Sequence, residues 1–80
     1  MPGTFVAFYV LAFDLDHHNQ PVRVFEPRAA ATKAAAIEEA HALADRHDGV
    51  VAWKREGDPV VGEEGDPEIV FQSGRIGDFA

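Results

Sequence analysis

The stretch that decides the fold is FVAFYVLAF, Phe5 to Phe13, which contains no charged side chain. Its aromatic and β-branched residues suit a pleated surface, so the segment from Phe5 to Leu15 is predicted to form a long first strand. An antiparallel sheet with one solvated face shows alternating apolar and polar residues. Here both alternate sets of positions are apolar. The second face of this strand therefore needs a cover, and the sequence leaves open what provides it.

Length and composition limit the possibilities. A chain of 80 residues is predicted to form one domain over residues 1–80. Apolar residues make up 46% and charged residues 26%, which is typical of a globular protein rather than a disordered one. The chain has no cysteine, so disulfides and thiolate metal sites are excluded. The net charge of −7 repels phosphate backbones, so no nucleic-acid partner is predicted.

The apolar opening does not have the features of a membrane or export segment. A helix that spans a bilayer needs about 20 apolar residues, and this stretch is shorter. The residues before it carry no lysine or arginine, and Asp14 and Asp16 follow directly, unlike a signal peptide. A cytoplasmic location without a membrane partner is predicted.

The rest of the chain divides into turns, strands and one helix. DHHNQP, Asp16 to Pro21, is a polar turn, and VRVFE, Val22 to Glu26, is predicted as a second strand that ends at Pro27. The alanine-rich residues that follow predict a helix with Thr32 as N-cap and Gly49 as C-terminal cap. VVAWKRE (Val50 to Glu56) and EIVFQ (Glu68 to Gln72) are predicted as the third and fourth strands.

This order, β-β-α-β-β, predicts an α+β fold in two layers: an antiparallel sheet of about four strands with one helix packed across one face. The helix has a stripe of mostly small residues at spacings of three and four, which lets it lie close to a sheet. The stripe consists of Ala36, Ile37, Ala40, Leu43, Ala44 and His47.

One helix covers only one sheet face, so apolar strand residues are in surplus. We expect Tyr9, Leu11 and Phe13 to face the helix together with Ile69 and Phe71. The opposite face is then the candidate interface, formed by Val6, Phe8, Val10, Ala12 and Val70. Soluble monomers seldom expose large apolar patches, so a homodimer joined sheet to sheet through this face, or edge to edge through the first strand, is predicted. The alternatives are a cover made of Ile76 and Phe79 from the C-terminal tail, or a groove for another partner.

No residue pattern indicates catalysis, a cofactor or a metal site. Asp14, Asp16 and His18 alternate as in a calcium loop, but Asn19 stands where the loop glycine belongs and Phe25 where its glutamate belongs. His41 and His47 are not at the spacing of a helical metal pair. His47 is instead expected to interact with the helix C-terminus.

Two further features have competing interpretations. The acidic segment from Glu56 to Glu68 is interpreted as a solvated loop. The alternatives are a surface for a basic partner protein, or the centre of a divalent-metal-dependent enzyme. Trp53 is interpreted as a core residue, and the alternative is an exposed anchor beside Lys54 and Arg55.

Two segments resemble known groups. TKAAAIEEAHALADRHDGVVAWKREGDP, which begins at Thr32, together with GEEGDPEIVF, which ends at Phe71, resembles small uncharacterised bacterial proteins of β-β-α-β-β layout. This likeness implies the fold and no activity. Phe8 to Ala44, with its strand, Asp-x-Asp and Thr-led helix, resembles the antitoxin domain of the HicB kind. That resemblance implies a small basic toxin as partner and a tendency to oligomerise. The sequence thus predicts a non-enzymatic, acidic, self-associating module, with an antitoxin-like module as the alternative.

Overall fold

The computed structural model describes residues 5–58, 63–64, 67–77 and 79. One helix packs on an antiparallel sheet, so the predicted α+β fold is confirmed. The elements in chain order are β1 (Phe5–Leu15), β2 (Pro21–Arg23), β3 (Arg28–Ala30), α1 (Lys33–Ala44), β4 (Gly49–Asp58), β5 (Glu63–Glu64) and β6 (Glu68–Gly74).

The two long strands, β1 and β4, form the centre of the sheet. They pair from Phe5 opposite Gly57 to Phe13 opposite Gly49. The other side of β1 pairs with β2 and β3, and the other side of β4 pairs with β5 and β6. β2 and β3 therefore form one edge of the sheet, and β5 and β6 form the opposite edge.

The predicted second strand, Val22 to Glu26, is corrected to two short strands with a break between them. The Val24 N–H still donates to the Ala12 carbonyl at 3.0 Å, and the chain then leaves the sheet. Pro27, which has no N–H to donate to a strand partner, lies within this break. Pairing resumes in β3, where Ala30 lies opposite Phe8.

The helix begins where the sequence predicted and ends earlier. The Thr32 hydroxyl accepts a hydrogen bond from the Ala35 N–H at 3.0 Å, which confirms the N-cap. The C-cap is Asp45, not Gly49, which is the first residue of β4. A Cβ at position 49 would overlap the backbone carbonyl of Arg75. Glycine is needed there because two backbones meet, not because a helix ends.

Four residues of the predicted small-residue stripe pack against the sheet, whereas His47 lies beyond the end of α1. Ala36 and Ala40 are fully buried, and Leu43 and Ala44 pack at the margin. The first core thus lies between α1 and one sheet face, and its buried members are Val10, Ala12, Ala36, Ala40, Val50 and Ala52.

A second core lies on the opposite face of the sheet, which we call the outer face. Its buried members are Leu11, Phe13, Val51 and Trp53. Ile76 and Phe79, from the tail that follows β6, pack against them. This was the alternative to a homodimer in the sequence analysis. It explains why β1 does not alternate, because both of its faces are covered within the chain.

The assignment of the β1 faces is corrected. Phe8, Val10 and Ala12 face α1, while Leu11 and Phe13 face the tail. A register shift between β4 and β6 places Phe71 opposite Ala52 but Ile69 opposite Trp53. Phe71 therefore lies on the helix side, as predicted, whereas Ile69 lies on the outer face.

Candidate functional site

The candidate interface of the sequence analysis belongs to the sheet face that α1 covers. Val10 and Ala12 are fully buried beneath α1, so they belong to the core and are unavailable to a partner. Phe8 and Val70 are half-buried against the same core. Val6, near the start of β1, is 52% exposed. Any interface must therefore be sought elsewhere than in this group.

The edge formed by β6 is the first surface with the properties of an interaction site. Among the described residues, β6 pairs with β4 alone, so its other edge offers backbone donors and acceptors to a partner. The strand spans seven residues, Glu68–Gly74, and Glu68 carries its single charge. Ile69 is 45% exposed. A long, weakly charged edge with an exposed apolar side chain favours pairing with another strand.

The second surface is a pocket on the outer face, which we call the aromatic–arginine pocket. It is open to solvent and has a volume of about 290 Å³. Four separate parts of the chain line it, with the residues Tyr9, Arg23, Glu26, Pro27, Trp53, Arg55 and Phe79.

Aromatic rings form the apolar part of this pocket. Tyr9 and Trp53 lie directly opposite each other on β1 and β4, and their rings stack with centroids 5.6 Å apart and an interplanar angle of 28°. Phe79 of the tail lies against Trp53, with ring centroids 4.7 Å apart. Trp53 is only 3% exposed, which confirms its interpretation as a core residue. It is both a core residue and part of the pocket wall.

The charged residues of the pocket follow from strand geometry. Arg55 lies two residues beyond Trp53 and therefore on the same face of β4. Arg23 lies opposite Phe13, which also points to the outer face. Guanidinium groups bind carboxylates and phosphates through paired N–H donors. With Glu26, the described lining residues include two cationic side chains and one anionic one.

A cluster at the opposite side of the fold has a structural role. The His47 Nδ1 lies 3.1 Å from one Asp14 oxygen and 3.2 Å from the other. The Asp48 N–H donates to Asp14, and the Asp48 carboxylate accepts from the Leu15 N–H at 2.9 Å. The His47 ring was expected at the helix C-terminus. Its backbone N–H does bond the Leu43 carbonyl, but the ring contacts Asp14 and so links the end of α1 to β1.

The turn after β1 is the polar turn that the sequence predicts. Asp16 Oδ1 accepts hydrogen bonds from the backbone N–H groups of His18 and Gln20, at 2.8 and 3.0 Å. Asn19 has a φ of 62°, which asparagine tolerates. Asp16 thus stabilises the turn itself. Within the ranges given above, no group of three or more His, Asp or Glu side chains is placed to hold a metal ion.

The acidic segment lies partly outside the described residues, which exclude 59–62 and 65–66. At its two ends, the carboxylates of Glu56 and Glu68 lie 3.5 and 3.7 Å from the Lys54 Nζ. Both contacts are partly solvated, so each contributes little to stability. The solvated loop and the metal-dependent centre remain predictions.

Sequence reasoning identified Trp53 beside Arg55 but missed the pocket. The sequence signal for the pocket was the position of Arg55. It lies two residues from Trp53 on a predicted strand, so both side chains are on one face. Tyr9, Arg23 and Phe79 are distant in sequence, and only the tertiary fold brings them there.

No helix in the described part of the chain has both the length and the apolarity to cross a bilayer. Comparison of the chain with protein-family models, curated proteins and solved structures finds no match.

Proposed function

We propose that the chain is an acidic, non-enzymatic interaction module that binds a second copy of itself along the open edge of β6. The observation that supports this most directly is the edge itself: seven residues that pair only with β4 among those described, with Ile69 exposed beside it. Antiparallel pairing of two β6 strands joins the two sheets into one and satisfies the backbone groups of both edges.

The sequence of β6 is compatible with a two-fold axis at Phe71, the central residue of Glu68–Gly74. In that register Phe71 faces Phe71 of the second copy, and Val70 faces Gln72. Glu68 lies opposite Gly74 rather than opposite another carboxylate. Like charges directly opposite each other destabilise strand pairs, and this register avoids them.

Sedimentation velocity over a concentration series up to about 1 mM tests the proposal, since weak dimers dissociate in this range. We expect a monomer–dimer equilibrium that Ile69→Lys weakens at least tenfold, about 1.4 kcal/mol, because a charge next to the new strand pair must lose water. Lysine is chosen because it lowers the net negative charge. Weaker association then cannot result from stronger repulsion between whole molecules.

Val22→Lys is the matched control. Val22 is 49% exposed and lies in β2, at the opposite edge of the sheet. A wild-type chain that stays monomeric, or a control that weakens the dimer as much as Ile69→Lys does, contradicts the proposal.

The net charge of −7 supports a second candidate, neutralisation of a small basic partner protein. In this case the partner supplies the strand that pairs with β6. Ile69→Lys then weakens binding of the partner, while the isolated chain remains monomeric in the sedimentation experiment.

A further inference from the structure

We propose that the aromatic–arginine pocket is a binding site for a small planar aromatic monoanion, of the arene carboxylate class. This site lies on the outer face of the sheet and is formed by residues other than those of the β6 edge. Ile69 lies opposite Trp53 on the same face but does not line the pocket, so separate variants test the two proposals.

The aromatic rings account for the planar part of the ligand. Tyr9, Trp53 and Phe79 form a continuous series of ring contacts, with centroid distances of 5.6 and 4.7 Å. Tyr9 and Phe79 are half-buried, so both still reach solvent at the pocket. Aromatic side chains bind flat apolar groups by offset stacking and edge contacts, beyond simple area burial. The volume of about 290 Å³ is near the lower end for small-molecule sites, which suits one or two fused rings.

The charged side chains account for the anionic group. Among the lining residues that the structure describes, two arginines and one glutamate carry one net positive charge. A monoanion neutralises that charge, whereas a second carboxylate on the ligand is repelled by Glu26. Each guanidinium has five N–H donors in a planar fork, so it can bind a ligand oxygen in addition to acceptors from the protein.

The position of this positive charge is informative because the chain as a whole is strongly acidic. The net charge is −7, and the chain has only seven lysines and arginines. Two of the seven line one pocket beside the only tryptophan. The pocket is thus a site where an anion is attracted locally, although the molecule repels anions at long range.

Two-dimensional NMR of the ¹⁵N-labelled chain tests this inference. The single tryptophan gives one indole N–H signal, which reports directly on the pocket. The probe is 2-naphthoate, and 2-naphthamide is its uncharged isostere. We expect naphthoate to shift the indole signal with a Kd below about 1 mM. We expect naphthamide to bind at least tenfold more weakly, because charge-assisted hydrogen bonds contribute about 1.5–3 kcal/mol.

Variants identify the residues responsible. Arg23→Gln changes an exposed side chain and should weaken naphthoate binding at least tenfold, a factor in line with the loss of one charge-assisted contact. Arg55→Lys keeps the charge but removes the planar fork, and should weaken binding as well.

Arg28→Gln is the matched control. The Arg28 guanidinium lies over the Phe25 ring and 3.4 Å from Glu39 of α1, outside the pocket. We expect its naphthoate Kd to equal that of the wild type. Equal affinity for naphthoate and naphthamide overturns the inference, as does an unshifted indole signal or an equal loss in the Arg28 control.

Discussion

At the scale of single residues, two glycines fix how the end of the sheet closes. Gly49 begins β4 and touches the backbone of Arg75, and Gly74 ends β6 with a φ of 71° beside the Asp48 carbonyl. The Arg75 N–H donates to that same carbonyl at 3.1 Å. A side chain at either glycine would overlap backbone atoms. Rotation of a neighbouring side chain cannot relieve such an overlap.

Gly49→Ala should destabilise the fold by about 3 kcal/mol or more, the upper range for overpacking at a buried site. Urea denaturation followed by Trp53 fluorescence measures this change. Gly77→Ala is the control, because a Cβ there meets its nearest atoms at 3.4 Å, which is ordinary contact. A Gly49 variant as stable as the Gly77 variant would show that the backbones at 49 and 75 can separate without cost.

The residue scale also shows where sequence reasoning is reliable. Thr32 was identified as N-cap because its hydroxyl acts on neighbours in the chain. Gly49 was identified as a cap on the same local logic, and this was wrong. Its real constraint comes from Arg75, a residue that no local pattern connects to it.

At the scale of elements, β1 and the tail depend on each other. The sequence predicted that both faces of β1 need a cover, because neither set of alternate positions is polar. It could not predict which face of β1 packs against the helix. Side chains alternate between the two faces, and both sets of alternate positions are apolar, so the pattern does not distinguish them. The tail settles the question: Ile76 and Phe79 carry the apolar surface for the outer face, while α1 covers Val10 and Ala12.

Phe79→Ala should reduce the free energy of unfolding by about 1–3 kcal/mol, less than for a fully buried phenylalanine because Phe79 is only half-buried. It should also raise the exposure of Trp53. Acrylamide quenching of tryptophan fluorescence measures that exposure.

Val22→Ala removes an exposed apolar side chain from β2, outside the cluster around Trp53, and is the control for this variant. If acrylamide quenches the Trp53 fluorescence of both variants equally, the tail does not shield the indole.

At the scale of the whole molecule, the shape leaves much surface available for association, whereas the net charge opposes association. The chain measures 49 × 23 × 16 Å, so a large part of its 80 residues lies near the surface. Two copies that pair through β6 bring together two molecules with a charge of −7 each. Their repulsion extends over about 10 Å at 0.1 M salt and over less at higher salt.

Self-association should therefore strengthen with salt. Between about 0.02 M and 0.5 M sodium chloride, where the screening length falls severalfold, we expect the dimer Kd to decrease, as measured by sedimentation equilibrium. An increase in Kd would mean that opposite charges meet at the interface, which the β6 pairing does not contain.

The fold class could be predicted from the sequence, whereas the aromatic–arginine pocket could not. The α+β class followed from periodicity, helix propensity and turn residues, all of which are local. The aromatic–arginine pocket is formed by β1, the segment after it, β4 and the tail. Nothing in the sequence of Arg23 or Phe79 alone indicates that they share a site with Trp53.

The order of the strands has a consequence for synthesis on the ribosome. β1 is made before its main partner β4, and well before its outer cover at Ile76 and Phe79. Until then, Leu11 and Phe13 remain exposed on a nascent chain, where apolar strands are prone to aggregate. Translation that pauses between β4 and residue 76 should therefore increase the demand for chaperones, and rapid completion should decrease it.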